Sequence, residues 1–111
     1  MQPIDIPNVI EAYQRAHDRH DVDDALASFG PDATVVDDGV DYVGTERIRW
    51  WLANAASEYT YTRTFTGLDD LGDGAYVVHN HLSGDFPGGE ADLRYRFRLR
   101  DGLIRRVEIA P

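Results

Sequence analysis

Hydrophobic and polar positions recur with two different periods along this chain, and the change falls near residue 59. In IPNVIEAYQRAHDRHD the residues Val9, Ile10, Tyr13, Ala16, His17 and His20 return at helical spacing. DVDDALASFGPD then reads as a short second helix. Asp21 is its N-cap, Asp24 sits in the first turn where the helix dipole favours an acid, and Gly30-Pro31 stops it. Val22, Ala25, Leu26 and Phe29 form its apolar stripe. ATVVDDGVDYVG follows as two short strands about an Asp38-Gly39 turn. TERIRWWLANAASEY is helical again, capped by Thr45, with Ile48, Trp51, Leu52 and Ala55 on one face. Trp50 lies about 100° round that helix from Trp51, so Trp51 is expected inside and Trp50 outside.

From Tyr59 onward the period is two. YTYTRTFTGL, AYVVHNHLSGDF, ADLRYRFRLR and LIRRVEIAP read as four strands joined by GDG, PGG and DG turns. The order is helix, helix, hairpin, helix, then an antiparallel meander, which is an α+β layout. ADLRYRFRLR sets the phase of the sheet. Ala91, Leu93, Tyr95, Phe97 and Leu99 share one face, and Arg94, Arg96, Arg98 and Arg100 share the other with Asp92. The arginine face must be the wet one, because four charges cannot be desolvated together cheaply. In the first of these strands Tyr59, Tyr61 and Phe65 face inward, and Arg63 is the awkward member of that set. A four-residue loop over Phe86–Gly89 pairs Leu82 with Leu93 and His81 with Arg94. That register turns Tyr76, Val78, Asn80 and Leu82 in, and His79 and His81 out beside the arginines. A slip of one residue would invert every one of these assignments. Outward histidines next to Arg94 and Arg96 suit a surface or subunit contact better than a metal site, and no metal ligands are assigned.

Composition narrows the function. One domain over residues 1–111 accounts for the length, and there are no repeats or linkers. The formal net charge of -9 repels phosphate backbones and anionic lipid, so neither nucleic acid nor a membrane is an expected partner. There is no cysteine, and all eleven basic residues are arginine, which removes thiolate and Schiff-base lysine chemistry. MQPIDIPNVIEAYQ has neither a basic start nor a long apolar run, and the expected location is cytoplasmic.

DVDDALASFGPDATVVDDG, YVGTERIRWWLANA and SGDFPGGEADLRYRFRLRDGLI, in that order, resemble the nuclear transport factor 2-like superfamily. The similarity is greatest to its SnoaL-like and ketosteroid isomerase-like branches. It implies a cone, in which a strongly bent antiparallel sheet wraps the three helices and a pocket opens at one end. Members include isomerases, dehydratases, epoxide hydrolases, polyketide cyclases and non-catalytic binding domains, so the fold does not choose the function. In ketosteroid isomerase-like enzymes a first-helix tyrosine donates to a developing oxyanion and a carboxylate ending the first strand shuttles the proton. Tyr13 and Asp37 match those positions. The late-strand acid of that site has no equivalent here, and Tyr95 is the nearest inward candidate. Asp92, where polyketide cyclases use an acid, faces outward.

The residues by themselves agree in part. Asp37 follows β-forming apolar residues, and a partly buried carboxylate gains proton affinity and can act as a base. It also stands in turn chemistry with Asp38 and Gly39. Tyr13 and His17 lie on a buried helical stripe, where a satisfied core role is the commoner one. The expectation is a cofactor-independent acid–base enzyme acting on a small apolar molecule, with Asp37 as base and Tyr13 as oxyanion donor. His17, Trp51, Asn80, Tyr95 and Phe97 would line the substrate pocket. The alternative is a non-catalytic ligand-binding or dimerisation domain of the same fold. A homodimer through the convex sheet face is expected in either case.

Overall fold

The computed structural model describes residues 6–111. Helix α1 spans Asn8–Asp18 and α2 spans Val22–Leu26. Strands β1 (Phe29–Asp37) and β2 (Val40–Val43) form a hairpin, and α3 runs over Thr45–Ala53 before a 3-10 turn at Ala55–Ser57. Strands β3 (Tyr61–Gly72), β4 (Ala75–Gly84), β5 (Glu90–Arg100) and β6 (Leu103–Ala110) complete one curved, unclosed sheet in the order β2-β1-β6-β5-β4-β3. The α+β architecture expected from the hydrophobic pattern is the one observed.

Local chemistry explains most of the boundaries. The Asp21 side chain accepts from Asp24 N at 3.0 Å and so caps α2, as its position suggests. Helix α2 ends at Leu26, not at Gly30-Pro31, and Phe29 opens β1. Phe29 still reaches the core because the strand delivers its ring there. Thr45 is the first helical residue of α3, with Gly44 at the N-cap and no side-chain cap. His20 lies beyond α1 in a left-handed conformation and is exposed, so it leaves the stripe. The hairpins β1–β2, β3–β4 and β5–β6 turn on Asp38-Gly39, Asp73-Gly74 and Asp101-Gly102. Both residues of each turn have positive φ, which is why Asp-Gly is used.

One feature of the sheet is not in the sequence pattern. Strand β1 pairs with β6 in parallel, Val35 beside Val107 and Asp37 beside Ile109, so the first hairpin and the meander share one sheet. The β4–β5 register also differs from the simplest loop. Leu82 pairs with Ala91 and His81 with Asp92, a shift of two residues that lengthens the loop and preserves the faces. Val78, Asn80 and Leu82 are buried, and the β5 arginines are exposed. The core brings Ile10, Tyr13 and Ala16 of α1 against Trp51 and Ile48 of α3 and Phe97, Ile104 and Val107 of the sheet. Trp51 is 1% exposed and Trp50 53%. Among the described residues no helix is long and apolar enough to cross a membrane.

Candidate functional site

Asp37 is the last residue of β1, and the turn that follows begins at Asp38. It shares a strand face with fully buried Val35, so its side chain is delivered to the inside of the sheet while Asp38 is exposed. Helix α3 crosses there, and Trp51 Nε1 donates to Asp37 Oδ2 at 2.9 Å. The hydrogen bond fixes both side chains at one wall of a cavity of about 130 Å³. Aromatic rings from Trp51, Tyr59, Tyr61 and Tyr95 contribute much of the remaining lining, with His17 from α1 and aliphatic Leu82, Leu93 and Ile109 from the sheet. A larger surface depression, about 290 Å³, lies where β1 bulges at Gly30–Ala33, and it holds none of these converging aromatic groups.

The electrostatics follow from partial burial. Desolvation raises the Asp37 carboxyl above its ordinary value. The Trp51 hydrogen bond opposes this, and neighbouring Asp38 adds to it. Burial lowers His17 to about 4 against the pull of Asp18, so the imidazole is neutral at pH 7. His17 Nδ1 lies 3.4 Å from the Tyr61 hydroxyl. Burial pushes Tyr61 up to about 12 and raises Tyr95 well above an ordinary phenol. Tyr61 and Tyr95 are therefore protonated donors at neutral pH.

Behind this cavity lies a recess of about 10 Å³ walled by Tyr13, Gln14, His17, Arg63 and Tyr95. His17 and Tyr95 border both voids. Arg63 is held there by Asp18, with Nε at 2.9 Å and Nη2 at 2.7 Å from its carboxylate. Its Nη1 donates to Gln14 Oε1 at 3.2 Å and Asn80 Oδ1 at 3.1 Å. The inward arginine that strand alternation left unexplained is thus the centre of a four-residue polar network. Because guanidinium only donates, it fixes which way both buried amides point. Their amide nitrogens, Gln14 Nε2 and Asn80 Nδ2, are buried and find no partner among the described residues.

The expected site residues therefore separate into two groups. Asp37, His17, Trp51 and Tyr95 meet at one cavity. Tyr13 does not line it. It is buried behind, edge-on to Phe97 at 5.9 Å, and its hydroxyl is made less acidic first by burial and then by Tyr95, Tyr61 and Asp37. Phe97 stacks under Tyr95 at 6.5 Å as core and does not line the cavity either. Asn80 faces inward but is bound to Arg63, not to Tyr95 or the cavity. Tyr61 belongs to the site and is legible as an inward position of its strand. The indole-to-carboxylate bond left no trace in the spacing. On the outer face His79 lies 2.8 Å from Asp69, and His81 lies 2.7 Å from Asp92 and 3.2 Å from Glu90.

No family model matches the chain, and no curated protein sequence does. Solved structures do match. A candidate polyketide cyclase from Sinorhizobium meliloti is 33% identical over 99% of this chain and 100% of its own, with a TM-score of 0.90. A protein of ketosteroid isomerase-like fold from Catenulispora acidiphila, in complex with trimethylamine, is 20% identical over 96% of this chain and 87% of its own, TM-score 0.83. A cystatin-fold protein from Novosphingobium aromaticivorans is 19% identical over 93% and 95%, TM-score 0.77. With the order of elements, the bent sheet and a full-length relative at this level of identity, the chain belongs to the nuclear transport factor 2-like, SnoaL-like superfamily.

Proposed function

We propose that this protein is a cofactor-independent acid–base enzyme that moves a proton on a small, largely apolar substrate. Asp37 is the general base. The hydroxyls of Tyr95 and Tyr61 donate to the oxygen on which charge develops, and Tyr13 supports them from behind. The observation that carries this reading is Asp37 itself: a carboxylate of raised proton affinity, held by an indole rather than by backbone, at the wall of an apolar cavity with phenol donors. A base in such a place takes a proton from carbon beside a carbonyl while preorganised donors stabilise the enolate. The chemistry is isomerisation, cyclisation, dehydration or water addition. The likeness to a candidate polyketide cyclase supports the same class.

The test needs no natural substrate. Small ketones of four to seven carbons, cyclopentanone among them, are incubated in D2O, and exchange of their α-hydrogens is followed by NMR. The wild type should accelerate exchange, and Asp37→Asn should abolish it. His79→Ala, on the outer face, should not. Exchange that survives in Asp37→Asn, or none with any ketone, removes the catalytic reading and leaves the non-catalytic ligand-binding domain. The cavity's size is the observation favouring that second reading, since it is below half of the roughly 300 Å³ at which ordinary ligand pockets begin.

We also propose a homodimer through the outer face of β5 and β6. Arg94, Arg96 and Arg98 project from that face, and Arg98 pairs directly with Arg106. Like charges opposite one another are unfavourable; Glu108 lies 3.8 Å from Arg106 on its own strand, and acids from a second copy would relieve the rest.

A further inference from the structure

The cavity has one charge and an aromatic surround. Among the described residues, Asp37 is the only acid that lines it, and no arginine does. His17, the one other titratable nitrogen there, is kept uncharged by burial. Trp51, Tyr59, Tyr61 and Tyr95 supply the rings, and their faces carry the negative lobe of the ring quadrupole. Arg63 stands behind this wall, but its charge is matched by the two-point contact with Asp18. The unbalanced charge at the cavity is therefore negative. The whole chain reinforces it with a net charge of -9, which raises the local concentration of cations and repels anions.

An anionic substrate is disfavoured twice in such a site, by Asp37 and by the long-range field. A neutral apolar one would use the rings but leave the carboxylate with only the Trp51 hydrogen bond and no counter-ion. A small organic cation satisfies both at once. Its alkyl groups pack on the rings, its charge meets the aromatic faces, and Asp37 gains the counter-ion it lacks. Size points the same way. About 130 Å³ admits a few heavy atoms, the scale of a methylated ammonium group.

We propose that the ligand of this cavity carries a small alkylated ammonium group, seated among Trp51, Tyr59, Tyr61 and Tyr95 with Asp37 as its counter-ion. This rests on the cavity being the ligand site, as in the function proposed above, and it does not require that Asp37 move a proton.

Choline and 3,3-dimethyl-1-butanol test it, because they share a shape and differ in one positive charge. Binding is measured by calorimetry at constant ionic strength, and by indole fluorescence in a Trp50→Phe background so that Trp51 alone reports. Choline should bind at least about tenfold more tightly than its carbon isostere. In Asp37→Asn the choline advantage should fall to near parity, while the alcohol binds as before. Tyr61→Leu should weaken choline more than the alcohol, which separates ring recognition from simple ion pairing. Equal binding of the two probes, choline binding that survives Asp37→Asn, or binding of neither probe overturns the proposal. The ketone-exchange experiment has a different readout, so a protein that exchanges ketones and ignores choline loses this inference and keeps its base.

Discussion

Asp37 and His17 are two titratable groups in one cavity whose burial acts with opposite sign. Asp37 is raised in the folded state, so the folded protein holds a proton that the unfolded chain releases, and stability falls as pH rises through the interval above an ordinary aspartate. Asp37→Asn keeps the shape and the acceptor for Trp51. It should raise the melting temperature at pH 7, with a difference that shrinks as pH is lowered. His17 is lowered from 6.5 to about 4, so between those values the unfolded chain binds the extra proton. The stability it leaves intact above 6.5 is lost as pH falls toward 4, on the order of 3 kcal/mol. His17→Phe should flatten the stability curve across that interval in urea titrations. Trp51 couples to both. Trp51→Phe keeps most of the packing but removes the one bond that holds the Asp37 proton affinity down, so the rising limb of any pH–rate profile should move to higher pH. Trp51→Ala should cost about 3–5 kcal/mol by denaturant unfolding, the usual range for emptying an aromatic core position.

At the scale of elements, what could be read from the sequence was parity rather than pairing. The arginine–aromatic alternation of β5 fixed which face is wet, and that assignment propagated to His79, Asn80 and His81. The partners were displaced because the β4–β5 loop is longer than a common hairpin loop, yet a displacement of two residues leaves every side chain on its original face. Gly84 ends β4 opposite Tyr61, the first residue of β3. A Cβ at Gly84 would collide with the Thr60 carbonyl oxygen and with Tyr61 Cβ, so β4 ends in a close approach to β3 that only glycine permits. Gly84→Ala should destabilise the protein by a few kcal/mol and broaden the amide signals of Thr60 and Tyr61. The Trp51–Asp37 bond and the Arg63 network were not legible because they join elements distant in sequence, through side chains whose directions only the packed sheet determines. For the same reason Tyr13, matched by family position to an oxyanion donor, lies behind the cavity here while Tyr95 borders it.

For the whole molecule, the acidic net charge and the arginine-rich outer sheet face stand in contrast. If that face joins two copies, its contacts are ionic and exposed, and such contacts weaken with salt. Sedimentation at high micromolar protein should show a dimer at low ionic strength that dissociates as sodium chloride is raised. Arg98→Glu should strengthen the β5–β6 cross-strand pair with Arg106 and weaken the dimer. A monomer under all conditions overturns the dimer and leaves Glu108, 3.8 Å from Arg106, as the acid that offsets this pair.

The parallel pairing of β1 with β6 also sets a timetable. A nascent chain emerges N-terminus first, and Asp37 leaves the ribosome about seventy residues before Ile109, which must lie beside it. At roughly 5–20 residues per second this is several seconds in which helices α1 to α3 and the first hairpin exist without the strand that closes their sheet. Their apolar faces stay uncovered for that time, and the closing step is a long-range one, the kind that slows folding most. The cavity around Asp37 is then among the last parts of the molecule to come into being. A ribosome paused before residue 103 carries a chain with a β1 edge still open to any other strand.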